Sequence, residues 1–100
     1  MKYYTEGFIS GIDTELVQSS LWFKPTPPFL LSVEDNKFCL LMPQSGKDAK
    51  ILDCDAKERI KLSILRIDVS TALMLMTSHQ KIHITTADET VDQFVEWRTV

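Results

Sequence analysis

Two periodicities compete along this chain, one of two residues and one near 3.6, and where each prevails sets the elements it predicts. In residues 3–12, Tyr4, Phe8 and Ile12 share one parity with Glu6 while Gly7 and Gly11 thin out the other, which reads as a first strand bent at its glycines. Residues 13–20 fit either a helical turn or more β structure. Leu21-Trp22-Phe23 is strand-like, and Pro25, Pro27 and Pro28 then interrupt regular pairing, since proline lacks an N–H and holds φ at about −65°. That segment reads as a rigid extended connector.

Residues 29–33 and 38–42 are apolar runs around the turn Glu34-Asp35-Asn36-Lys37, a hairpin ended by Pro43. A polar loop over 44–48 and a short strand over 50–54 follow. Ile60, Leu62 and Ile64 occupy one face, whereas Leu65, Ile67 and Val69 occupy the other, so the phase flips near Ile64 and predicts a bulge or break. The apolar run 72–76, the polar break 77–80 and the alternation over 81–86 predict a last hairpin. Beyond it the period changes. Asp88 suits a helix N-cap, and Val91, Phe94, Val95 and Trp97 form one apolar stripe, leaving Glu89, Gln93 and Glu96 to solvent. The expected architecture is one domain over residues 1–100, mainly β, with a single C-terminal α-helix over about 88–98.

Composition narrows the function classes. With 44% apolar and 25% charged residues the chain has the make-up of an ordinary globular domain. Its apolar runs are far shorter than the roughly 20 residues that span a bilayer. The opening Met-Lys-Tyr-Tyr-Thr-Glu-Gly has no apolar core of a secretory signal, so a cytoplasmic location, peripheral to membranes at most, is expected. Eleven basic residues against fourteen acidic ones, a net charge of −3, argue against a nucleic-acid surface.

Candidate chemistry is sparse. Cys39 sits in an apolar run and reads as a buried free thiol, and the carboxylates around Cys54 disfavour a thiolate. No metal-ligand spacing, nucleophile elbow or phosphate-binding glycine loop is present, and the chain has only three glycines. His79 falls in the expected turn, and His83 points opposite to Ile82 and Ile84, toward solvent. We therefore expect neither an enzyme nor a cofactor. The most unusual apolar feature is the segment Trp22, Phe23, Pro25, Pro27 and Pro28, a candidate partner-binding patch if it is exposed and ordinary packing if it is not.

Glu6-Gly7-Phe8-Ile9, the 29–41 hairpin with its acidic turn, Ile60-Lys61-Leu62-Ser63, and the run from 73 into 81–88 with a following helix resemble the pleckstrin-homology superfold. The resemblance implies a seven-stranded antiparallel bent barrel or sandwich capped by the terminal helix, with Phe94 or Trp97 as the helix anchor. It implies an adaptor or scaffolding module in signalling that binds a protein or peptide. Members that bind phosphoinositides carry a basic cluster on the first two strands, but residues 3–33 contain one basic residue, Lys24. What the resemblance leaves for weak anionic-lipid binding is a rim of Lys24, Lys47, Lys50, His79 and Lys81.

Overall fold

The computed structural model of the protein describes residues 2–13, 20–26, 30–33, 36–45, 48–53, 59–63, 67–87 and 94–100. Strand β1 (Tyr3–Asp13) organises the rest. Its odd positions Tyr3, Thr5, Gly7 and Ile9 are buried, and Tyr4, Glu6 and Phe8 are half-buried on the other face. Along one edge it pairs with β2 (Ser20–Pro25), and the register slips between Ile9 and Gly11, so the expected bend falls at the second glycine. Gly7 is needed for a different reason. A Cβ there would collide with the Lys24 carbonyl oxygen and the Pro25 Cα, because β2 crosses too closely to admit one.

The expected hairpin forms with a tighter connection: β3 (Leu30–Val33) pairs with β4 (Asn36–Pro43) from Leu30 opposite Cys39 to Val33 opposite Asn36, so Asn36 and Lys37, expected in the turn, and Pro43, expected to end the strand, all lie in β4. The short strand β5 (Lys50–Asp53) pairs along the other edge of β4. β6 (Ile60–Ser63) extends the sheet beyond β2, while the expected phase flip at Ile64 and Leu65 lies outside the described residues. Cys39 is buried, as its apolar run implies, but it is disulfide-bonded rather than a free thiol; the other cysteine in the sequence, Cys54, lies outside the described residues.

The chain departs most from expectation after residue 67. The apolar run 72–76 lies in a helix, α1 (Val69–Thr77), not in a strand. Asp68 is its N-cap: the Asp68 carboxylate accepts from the Thr71 backbone N–H at 2.7 Å and from the Thr71 hydroxyl at 3.0 Å. Ala, Leu and Met are strong helix formers, and with the first turn capped, the run needs no sheet partner. Only Ala72 and Leu75 are buried, three residues apart on the face that packs toward β1. The polar stretch after it is a helix stop, not a hairpin tip. Gln80 N–H donates to Leu75 O at 3.0 Å and His79 N–H to Met76 O at 3.2 Å, a Schellman motif with His79 at φ 51°.

β7 (Ile82–Thr86) then returns beside β1, on the edge opposite β2, with Glu6 facing His83. The expected C-terminal helix is replaced over its second half by β8 (Phe94–Thr99), antiparallel to β7, with Ile84 opposite Trp97 and His83 opposite Arg98. Residues 88–93 lie outside the described ones. Phe, Val, Trp and Thr are favoured in strands, and a short isolated helix is marginal, so the open edge of β7 decides the outcome. Among the described residues the sheet thus has eight strands rather than the expected seven; it is mainly antiparallel β with one helix, and it does not close into a barrel. Ile9, Leu21, Phe23, Ile82 and Ile84 meet Ala72 and Leu75 in the core, with Phe94 and Trp97 packed at its margin. No described helix is long and apolar enough to cross a membrane.

Candidate functional site

Register dictates what the outer face of the β1–β7–β8 sheet displays. Residues directly opposite in an antiparallel pair share a face. Tyr4 lies opposite Thr85 and Glu6 opposite His83; across the next ladder, Thr85 meets Glu96 and His83 meets Arg98. Three strands therefore place Tyr4, Glu6, His83, Thr85, Glu96 and Arg98 on one surface. With Gln44 and Trp97 these residues line an open cleft of about 560 Å³.

Polar contacts order this cleft. The His83 imidazole stacks on the Tyr4 ring, with centroids 4.6 Å apart and planes inclined by 17°. His83 faces away from Ile82 and Ile84 as expected, yet it is only 8% exposed, because its neighbours on both sides cover it. That burial, then the Arg98 charge, hold its pKa below the ordinary value of 6.5, while Glu6 acts in the opposite sense. Lys81 Nζ sits 3.9 Å from Glu6 Oε1, and Lys2 Nζ donates to Glu96 Oε1 at 3.0 Å. Gln44 Nε2 donates to the Thr85 hydroxyl at 3.5 Å. Arg98 has no ion-pair or hydrogen-bond partner for its guanidinium among the described residues.

A second, apolar crevice of about 30 Å³ lies on the core side of Trp97, beside Leu21, Leu62 and Phe94. It has room for about one water and no ligand. Among the described residues no cluster of three or more His, Cys, Asp or Glu side chains could hold a metal ion.

The residues singled out from the sequence are placed elsewhere. Phe23 is fully buried and Pro25 is among the most buried side chains, so both belong to the core and neither offers a docking surface. Trp22 is half-buried on the outer face, where the Arg59 guanidinium covers its ring at 4.1 Å and Lys61 lies at 5.9 Å. Pro27 and Pro28 lie outside the described residues, and among the described members of the candidate patch Trp22 alone keeps exposed surface. The cationic rim is spread over separate elements. Lys24 is exposed on β2 opposite Phe8, Lys50 is exposed at the start of β5, and His79 is exposed after α1. Lys81 is engaged by Glu6, and Lys47 lies outside the described residues.

The cleft itself escaped the sequence reading, although half of its signal was visible. Tyr4 and Glu6 share a parity, and residues 81–86 alternate; Glu96 and Arg98 alternate as well, but reading 88–98 as a helix hid them. The chain matches no protein-family model, no curated protein and no solved structure.

Proposed function

We propose that this protein is a non-enzymatic interaction module that binds a protein partner by taking up an extended peptide along β8. The observation that carries this reading is the position of β8. It pairs with β7 on one side and with no described strand on the other, and its side chains form one wall of the cleft. An open strand edge offers backbone hydrogen bonds to an added strand, and side-chain pockets beside it supply the selectivity.

The ladder sets which groups face outward. Val100 N–H donates to Lys81 O at 3.1 Å, which makes that pair a hydrogen-bonded one. By alternation, Arg98 turns its backbone toward β7 and Thr99 turns its own toward the open edge. Glu96 and Arg98 also protect the edge against indiscriminate pairing. Weak binding to anionic membranes finds less support, since among the described residues Lys24, Lys50 and His79 sit on separate elements and Lys81 pairs with Glu6.

The test is to select peptides by display on the immobilised chain and map them by amide chemical shifts. Peptides that dock on β8 move the Thr99 and Arg98 amides, and Thr99→Pro, which removes an outward N–H and no ladder bond, weakens them at least about tenfold without lowering the unfolding midpoint. Shifts confined to other strands, or full binding by Thr99→Pro, refute the proposal.

A further inference from the structure

We infer that the cleft selects a carboxylate: the strand that docks on β8 carries an aspartate or glutamate seated against Arg98. This rests on the reading of β8 as a docking edge and adds the chemistry of the partner. Glu6 is offset by Lys81 and Glu96 by Lys2, which leaves the Arg98 guanidinium as the cleft's uncompensated charge among the described residues. The whole chain carries −3, so this surface is a local exception that draws an acidic segment here.

Geometry places the acid. A strand added beside β8 brings its same-face residues directly opposite those of β8, with Cβ atoms about 4.5–5.5 Å apart. A carboxylate opposite Arg98 can take the planar, two-pronged hydrogen bonding of a guanidinium. Two residues along, the peptide side chain meets Glu96, so a second acid there is repelled and a neutral or basic residue is favoured. The expected motif is thus an acid with a non-acidic residue two positions away. A phosphate dianion fits less well, since one guanidinium in a cleft otherwise lined by neutral and acidic side chains offers too little charge.

Amide-shift titration of the isotope-labelled full chain tests this with blocked peptides Thr-Val-Glu-Val-Thr, Thr-Val-Gln-Val-Thr and Thr-Val-Lys-Val-Thr, and with inorganic phosphate alone. The glutamate peptide is expected to move the Arg98 and Thr99 amides and to bind about tenfold tighter than the glutamine peptide. The lysine peptide should be weaker still, and Arg98→Gln should abolish the glutamate preference while all three peptides continue to shift Thr99. Equal binding of the glutamate and glutamine peptides overturns the carboxylate inference and leaves the docking edge standing. Failure of all three to move Thr99 removes both. Phosphate that saturates Arg98 at lower concentration than the glutamate peptide overturns the inference in favour of a phosphate site. Shifts at β8 that depend on protein concentration alone, and vanish in Thr99→Pro, make a second copy of the chain the occupant and overturn it as well.

Discussion

The imidazole of His83 lies almost flat on the ring of Tyr4, the two centroids 4.6 Å apart, in the middle of the polar face shared by β1, β7 and β8. Burial first, and then Arg98, disfavour the imidazolium, and Glu6 opposes them. The folded chain therefore takes up this proton at lower pH than the unfolded chain does. Well above pH 6.5 both forms are neutral and the native state keeps its full stability. As pH falls from there through the lowered value, the unfolded state binds the proton first and stability is lost. Denaturant midpoints measured from pH 7.5 down to about 5 should fall for the native sequence and flatten for His83→Phe, which keeps an aromatic ring on Tyr4. Asp68 acts in a separate window. Its carboxyl, lowered mainly by the Thr71 backbone N–H, contributes stability that is lost only below the ordinary value of 3.8.

Thr5 presents a hydroxyl that is fully buried and has no hydrogen-bond partner among the described residues. It faces the core opposite Ile84, where a methyl group suits the surroundings better. Thr5→Val should raise unfolding free energy by about 1 kcal/mol, since the desolvation cost disappears and the shape is kept. Thr86 is the control on the same sheet. Its hydroxyl accepts from Tyr3 N–H at 3.0 Å, so Thr86→Val should destabilise by about 1–3 kcal/mol. Urea unfolding of the two variants decides the pair, and opposite signs are the expected result.

His79 holds the left-handed position that ends α1. A side chain there costs roughly 1 kcal/mol relative to glycine, which adopts that conformation freely. His79→Gly is expected to stabilise the chain by up to about 1 kcal/mol in thermal or urea unfolding, and a β-branched residue such as His79→Val to destabilise it.

These positions show what the sequence made legible. The strands β1, β3, β4 and β5 were readable because short runs with glycine or turn residues between them have few alternatives. The end of the chain was not, because propensity and period disagreed there. Ala72 to Met76 is apolar at every position, which fits a buried strand as well as a helix, and only the Asp68 cap tips it. Phe94 to Thr99 carries an apolar stripe at helical spacing, yet Phe94, Val95, Trp97 and Thr99 are strand formers, and the free edge of β7 settles the matter from outside the segment. Since Arg98 joins the cleft only through that ladder, misreading β8 also concealed the candidate site. Phe23 and Pro25 went astray for a simpler reason: an unusual apolar segment looks the same in sequence whether it is buried or displayed.

Cys39 is disulfide-bonded, and Cys54 is the only other cysteine in the sequence. Peptide mapping without reduction should recover the two in one linked fragment, from a protein that runs as a monomer on a non-reducing gel. A loop of this length is worth roughly 3 kcal/mol, so a reductant should lower the unfolding free energy by about that much. A linked dimer on the gel, or an unchanged midpoint on reduction, would contradict this. Disulfides persist in oxidising compartments, so a confirmed bridge weighs against the cytoplasmic location expected from the opening residues.

Everything proposed for the cleft and its edge depends on residues 94–99 pairing as a strand with β7. Cross-strand nuclear Overhauser contacts test this directly in the intact chain. In the pairing described, Ile84 and Trp97 face each other as a non-hydrogen-bonded pair, as do Ile82 and Thr99, which brings their Hα protons into close contact. The predicted result is an Hα–Hα cross-peak for each pair. Contacts from Phe94 Hα to the Trp97 amide, three residues on, with neither cross-strand peak present, would mean a helix in place of β8 and would remove both the edge and the cleft.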